Sequence, residues 1–321
     1  MQRKIVVHHV GGRDGGTPIP PLKHFDRDTI FVLYEADADT VKQIKRLWSD
    51  RECDTRIYPY CIAKEAGEAV LHINFEAYTS SLRPINPQVA HYYMNVAGNG
   101  LDFILGEVVR TMERRTVQTV SIDELMRRPE LSDAPPDFLS LDTQGTEYEI
   151  LEGSRETLKH VLAVCCEAEF VEIYQGQKLF GDLVSFMEDA GFQLANLHLH
   201  PGFAPLRAPI GARANGRPFG SDALFLRKID TVEGTPAERH LALYKLAFFS
   251  VLFELLEHGL FALDAARRID IPADTREAFG TITYYRFLDQ LQAIVAAMPQ
   301  RLPPTYGETR SFEEMQARFR G

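Results

Sequence analysis

Residues 137–170, DFLSLDTQGTEYEILEGSRETLKHVLAVCCEAEF, decide the fold. Phe138 to Leu141 is a short apolar run that halts at Asp142, turns through Gln144 and Gly145, and enters a helical pattern carrying Tyr148, Ile150 and Leu151. A second apolar run, Val161 to Cys166, ends on two further carboxylates, Glu167 and Glu169. The stretch reads as strand, turn, helix and strand of an open α/β sheet, with two consecutive buried strands that each finish on acid. Ligands in such sheets bind in the crevice outside the carboxyl ends of the strands, which is where these acids fall.

The composition sets the bounds around that centre. The chain has 321 residues, long enough for two domains or for one large α/β domain with an extension. A formal charge of -10 leaves no basic footprint for a nucleic-acid partner. Cys53, Cys61, Cys165 and Cys166 show no C-x-x-C pairing, so neither a zinc site nor a disulfide framework is indicated, and a cytoplasmic location is expected. The N-terminal apolar run is too short for a signal peptide. Leu241 to Leu263 is interrupted by Lys245, Glu254, Glu257 and His258, which argues against membrane insertion.

Upstream of the centre, Lys4 to Val10 predicts a first strand feeding the glycine-rich turn Gly11 to Gly16. Gly11, Gly12, Arg13 and Gly15 are candidate backbone contacts to a cofactor, because glycine permits positive φ and close approach; a plain surface turn is the alternative. Pro18, Pro20 and Pro21 forbid a regular helix after that turn. Ile30 to Tyr34 predicts the second strand, closing on Glu35 and Ala36, with Glu35 placed to hydrogen-bond the ribose hydroxyls of an adenosine. Asp37 and Asp39 then favour the N-terminus of a helix over Thr40 to Trp48. Further strands are expected at Arg56 to Ala63, Ala69 to Phe75 and Thr116 to Ile122, while residues 86–115 carry little periodic signal.

Downstream, Phe180 to Ala190 predicts an amphipathic helix stopped by Gly191, and Phe192 to Leu199 a strand that carries His198, with His200 just beyond. Residues 201–220 read as an irregular loop whose Arg207, Arg213 and Arg217 suit a phosphate or carboxylate. Ser221 to Arg227 predicts a closing strand. The chain then divides: residues 1–230 form the sheet domain, and 231–321 a helical extension with long patterns at Ala237 to Leu263 and Arg276 to Met298. Its wide apolar face must pack on the sheet or on another subunit, so a homo-oligomer through 232–321 is one expectation.

The run Asp142, Gln144, Gly145, Glu147, Ile150, Leu151, Glu152, Gly153, followed by E-x-E-F-x-x-x-Y-x-G-Q from Glu167 to Gln177, resembles the FkbM-type methyltransferases. The resemblance covers about residues 1–228 and is strongest over 137–195. It implies a doubly wound, Rossmann-like class I fold that uses S-adenosylmethionine to methylate hydroxyl groups, commonly on sugars or polyketides, with a small-molecule or glycan acceptor; the sequence itself requires no metal. Ser80 to Pro84 resembles a serine-serine-leucine element of the family, which adds Ser81 to the cofactor candidates Gly11, Gly12, Arg13, Gly15, Glu35, Ala36, Asp142 and Gln144. His9 and Arg13 depart from the family pattern, which usually has an acid before the first glycine and an asparagine after it. Asp142 is the expected base or orienting charge, with Glu167, Glu169 and His198 as further catalytic candidates. Two rivals remain: a glycosyltransferase using Asp37 and Asp39 around a divalent ion, and a degenerate binding subunit of the same fold.

Overall fold

The computed structural model describes residues 3–11, 22–49, 51–95, 102–200, 202–207, 209, 216–299 and 311–320. Two apolar runs open the chain as strands, β1 (Ile5–Gly11) and β2 (Thr29–Tyr34), each buried along nearly its whole length. Helix α1 (Ala38–Leu47) leads to β3 (Asp54–Tyr58). An insertion follows: β4 (Cys61–Ile62), β5 (Gly67–Asn74), β6 (Tyr93–Asn95), β7 (Asp102–Ile104), α2 (Leu105–Val108), β8 (Thr111–Val120) and α3 (Ile122–Leu125). The chain returns to the main sheet with β9 (Phe138–Asp142), α4 (Glu147–Glu152), α5 (Arg155–Leu158), β10 (Ala163–Glu169), α6 (Phe180–Asp189) and β11 (Phe192–Leu199). A small hairpin, β12 (Gly202–Ala204) and β13 (Arg217–Pro218), precedes β14 (Gly220–Arg227). Helices α7 (Pro236–Leu252), α8 (Leu256–Arg267), α9 (Ala273–Phe279), α10 (Thr283–Ala297) and α11 (Phe312–Arg320) close the chain.

Among the described residues the main sheet has seven strands in the order β11-β14-β10-β9-β1-β2-β3. The chain runs outward from β1 through β2 to β3 and then crosses back to β9 on the other side of β1, with these strands and β10 parallel. Strand β14 is antiparallel to both β10 and β11. The order reverses between β1 and β9, which is where a doubly wound sheet opens its crevice.

Strand periodicity divides the core into two faces. Val6, Val10, Val32, Leu139, Leu141, Val164 and Cys166 face α3 to α6. Ile5, Val7, Phe31, Leu33, Phe138, Ala163 and Cys165 face the other way, into one cluster with Leu241, Phe248, Phe249, Phe279 and Tyr284 of the C-terminal helices. Helices α7 to α10 therefore cover the second face of their own sheet and share its core. Phe248 meets Phe25 at 4.7 Å between centroids, and Phe249 meets Phe138 at 5.4 Å. Thr235 caps α7 through a reciprocal box with Glu238, and the break from α7 to α8 falls at Glu254, whose φ is 63°.

Several sequence expectations change in the structure. The strand expected over Arg56 to Ala63 ends at Tyr58, because Pro59 has no N–H for the ladder, and Cys61–Ile62 leaves to pair with β8 in a separate sheet of β4, β8 and β5. Residues 201–220, expected to be irregular, contain β12 and β13, which join β6 and β7 in a second small sheet. Arg217 of that hairpin lies over the rings of Tyr92 and Phe203, each at 5.7 Å. Arg213 and the glycine-turn positions Gly12, Arg13 and Gly15 lie outside the described residues.

Candidate functional site

Gly11 ends β1 with φ 85°, and a Cβ there would stand 1.7 Å from the Asp142 carbonyl oxygen. Only glycine lets the strand end come this close to β9, so Gly11 fixes the floor of the crevice at the switch point. On the next strand Glu35 follows β2; its N–H donates to Tyr58 O at 3.1 Å, and its Oε1 accepts from Asp37 N at 2.8 Å. Gly11, Glu35, Ala36, Ser81, Asp142 and Gln144 all line one cleft, whose far side is supplied by Cys61, Ile62, Leu71 and Ile73 of the small sheet. Thus the structure brings every described cofactor candidate of the sequence to one place. Ser81 is buried and donates its hydroxyl to Gln144 O at 2.7 Å, so it braces the turn after β9.

That turn is held in an unusual conformation. Gln144 has φ 59° and Gly145 φ 95°, and a Cβ on Gly145 would come within 2.9 Å of the Tyr174 ring. A non-glycine residue in the left-handed region persists only where its surroundings fix it. Here the side chain is tied at both ends. Gln144 Nε2 donates to Asp142 Oδ1 at 2.9 Å and to Glu167 Oε2 at 2.6 Å, and the Tyr174 phenol lies 3.0 Å from Gln144 Oε1. Below it Glu147 caps the turn, its Oε1 accepting from Thr143 N at 2.7 Å and Thr143 Oγ1 at 2.9 Å, and its Oε2 from Gly145 N at 3.0 Å.

Gln144 also lines a second cavity of about 360 Å³ on its other side, with Glu167, Glu169 and Tyr174. Asp142 and Glu167 directly follow the paired residues Leu141 and Cys166, and Glu167 is in register with Asp222 of β14. The acids thus form a row across the carboxyl ends, all on one face of the sheet. Burial pushes the carboxyls of Glu167 and Glu169 well above the ordinary glutamate range, and the neighbouring acids push the same way. Glu147 is pushed up to about 7, chiefly by burial, against the opposing effect of its hydrogen bonds.

His198 pairs in register with Asp222 but lies on the edge strand with its side chain exposed. His200 meets the acids instead: its Nδ1 is 3.6 Å from Glu167 Oε1 and its Nε2 3.4 Å from Asp222 Oδ1. Tyr174 stood inside the E-x-E-F-x-x-x-Y string, so a signal for it was present; Asp222 and the residues that wall the cavity from the insertion had none. Asp37, the metal candidate of the rival reading, accepts from Thr40 Oγ1 at 2.9 Å, a contact of a helix start, and pairs with Arg115 of β8 at 3.4 Å. Asp39's side chain lies outside the described residues. Among the described residues no group of three or more His, Cys, Asp and Glu is arranged to hold a metal ion.

Comparison with known proteins adds the family. A family model described as the methyltransferase FkbM domain matches residues 10–194. No curated protein matches the chain in sequence. Among solved structures, magnesium protoporphyrin IX methyltransferase from Synechocystis PCC 6803, with bound SAM, is similar at 8% identity and a TM-score of 0.35, over 71% of this chain and 72% of that one. Precorrin-6y C5,15-methyltransferase from Geobacter metallireducens GS-15 is similar at 9% identity and a TM-score of 0.33, over 71% of this chain and 83% of that one.

Proposed function

Because the chain belongs to the FkbM methyltransferase family, whose cofactor is S-adenosylmethionine, we propose that it is an O-methyltransferase acting on a hydroxyl of a sugar, glycan or related natural product. The observation that carries this reading is the position of Gln144, which lines both the switch-point cleft and the cavity that holds Glu167 and Glu169. One side chain thereby separates a nucleoside-type site from an acceptor-type site.

The residues of the cleft fit the cofactor. Gly11, which lets β1 close on the Asp142 backbone, lines the floor of the cleft, Glu35 stands at the tip of the second strand where ribose hydroxyls are read, and Ala36 is small. When bound, S-adenosylmethionine supplies a methyl group on a strongly electrophilic sulfonium, so alignment and one proton are left to the protein. Gln144 holds Asp142 and Glu167 at fixed spacing through its amide N–H groups. Asp142, at the end of β9, accepts the acceptor's hydroxyl proton or orients that hydroxyl, and Glu167 and Glu169, pushed towards their neutral forms, donate to the acceptor's oxygen.

Asp142→Asn tests the role directly. General-base contributions run from about a hundredfold to ten-thousandfold, so methyl transfer should fall by that order while cofactor affinity moves little, since Asn keeps the hydrogen-bonding shape. The readout is tritium transfer from labelled S-adenosylmethionine to the best alcohol in a panel of sugars, glycosides and hydroxylated polyketides. Loss of cofactor binding in a folded variant would instead make Asp142 a cofactor residue.

A further inference from the structure

The cavity beyond Gln144 is built from two kinds of surface. Gln144 is hydrogen-bonded to Glu167, with Glu169 two residues further along the same strand. Apolar side chains such as Met94, Phe103, Val108 and Phe219 make up most of the remaining lining, in which Glu76, Thr79 and Tyr174 are the other polar members. The apolar side is firmly backed: Leu105, Val109, Ile173, Tyr174, Phe203 and Phe219 form one buried cluster, and Phe203 stacks on Tyr92 at 4.3 Å. The insertion and Phe219, which follows β13, thus add an apolar wall to the cavity that holds the acids, and Phe203 of β12 backs it.

A pocket of this kind fixes a ligand's orientation by matching its polar end to the few polar groups and its body to the rest. An unsubstituted sugar carries hydroxyls around its whole ring, and those turned towards Met94, Phe103 and Val108 would lose water without gaining a partner. Resting on the O-methyltransferase reading, we propose that the acceptor is an alcohol with an apolar flank, a cycloalkyl or aryl body that fills this cavity while its hydroxyl faces Gln144 between Asp142 and Glu167. In the transfer the hydroxyl oxygen bonds the methyl carbon as the methyl–sulfur bond breaks, the bonding pair stays on sulfur, and the hydroxyl proton goes to a carboxylate of the row. Burial raises the Glu167 and Glu169 carboxyls, so this end offers both O–H donors and oxygen acceptors to one hydroxyl.

The test compares cyclohexanol and benzyl alcohol with glucose as probes, by saturation-transfer NMR and by tritium transfer, on wild type saturated with S-adenosylmethionine. The cyclic alcohols should bind and accept methyl at least tenfold better than glucose. Val108→Phe, which fills the apolar side, should weaken cyclohexanol binding at least tenfold and leave cofactor affinity within twofold. Equal or better use of glucose by the wild type overturns the proposal, as does cyclohexanol binding that a folded Val108→Phe variant leaves unchanged. Absence of cofactor binding in the same samples would instead sink the methyltransferase reading, so the two failures are distinguishable. Should Val108→Phe not fold, the wild-type comparison decides alone.

Discussion

At the scale of single residues, the site is a set of carboxyls that the fold keeps partly protonated. Glu147 holds its proton up to about 7, above the ordinary glutamate value of 4.5. The folded state therefore carries a proton that the unfolded chain has lost across this window, and stability falls as pH rises from about 4.5 towards 7. Glu147→Gln should remove that share of the pH dependence, roughly 3 kcal/mol at 1.36 kcal/mol per unit. Urea midpoints of wild type and variant at pH 5 and pH 7.5 measure it, and parallel changes in the two proteins would contradict the assignment. Much of this was legible in the sequence. The D-x-Q-G-x-E string names Asp142, Gln144 and Glu147, and two strands ending on acid mark the crevice. His198 and His200 share a strand period, so pattern alone had no means to tell which of them meets Glu167.

At the scale of elements, the parallel strands were legible because both their faces are buried, which makes Ile30 to Tyr34 read as an unbroken apolar run and Phe138 to Leu141 as one interrupted only by Ser140. Strands β6, β7, β12 and β13 are two or three residues long, and β12 pairs with β6 from more than a hundred positions away, as in Phe203 with Met94. No local period encodes such a partnership, so the apolar wall of the cavity was invisible in the sequence. Helix α7 joins the sheet through apolar burial and one buried ion pair, Lys245 Nζ to Asp137 Oδ2 at 2.7 Å, with the same Nζ donating to Lys4 O at 2.8 Å. Asp137 Oδ2 also accepts from Val6 N at 2.8 Å, yet burial holds its carboxyl above the usual aspartate range despite the lysine. Lys245→Met should cost about 3 to 5 kcal/mol at neutral pH, the usual penalty for leaving one buried charge without its partner. The loss should shrink towards pH 5, where Asp137 takes up a proton more readily; chemical denaturation at the two pH values checks both parts.

At the scale of the whole molecule, helices α7 to α10 cover one face of the main sheet and share its core. Truncation after residue 231 would expose Ile5, Val7, Phe31, Leu33 and Phe138 together, so the shortened chain should aggregate or lose cooperative unfolding. A soluble, cooperatively folding fragment in size-exclusion chromatography and calorimetry would contradict a shared core. A cleft between β1 and β9 that binds S-adenosylmethionine separates an enzyme from a binding subunit that has lost the cofactor. Titration calorimetry of the full chain with S-adenosylmethionine, repeated on Glu35→Ala, tests it most directly. One cofactor should bind per chain, and the variant should lose about 1.5 to 3 kcal/mol of binding, the range for a charge-assisted hydrogen bond. No binding by the wild type, or equal affinity in a folded Glu35→Ala protein, would contradict it.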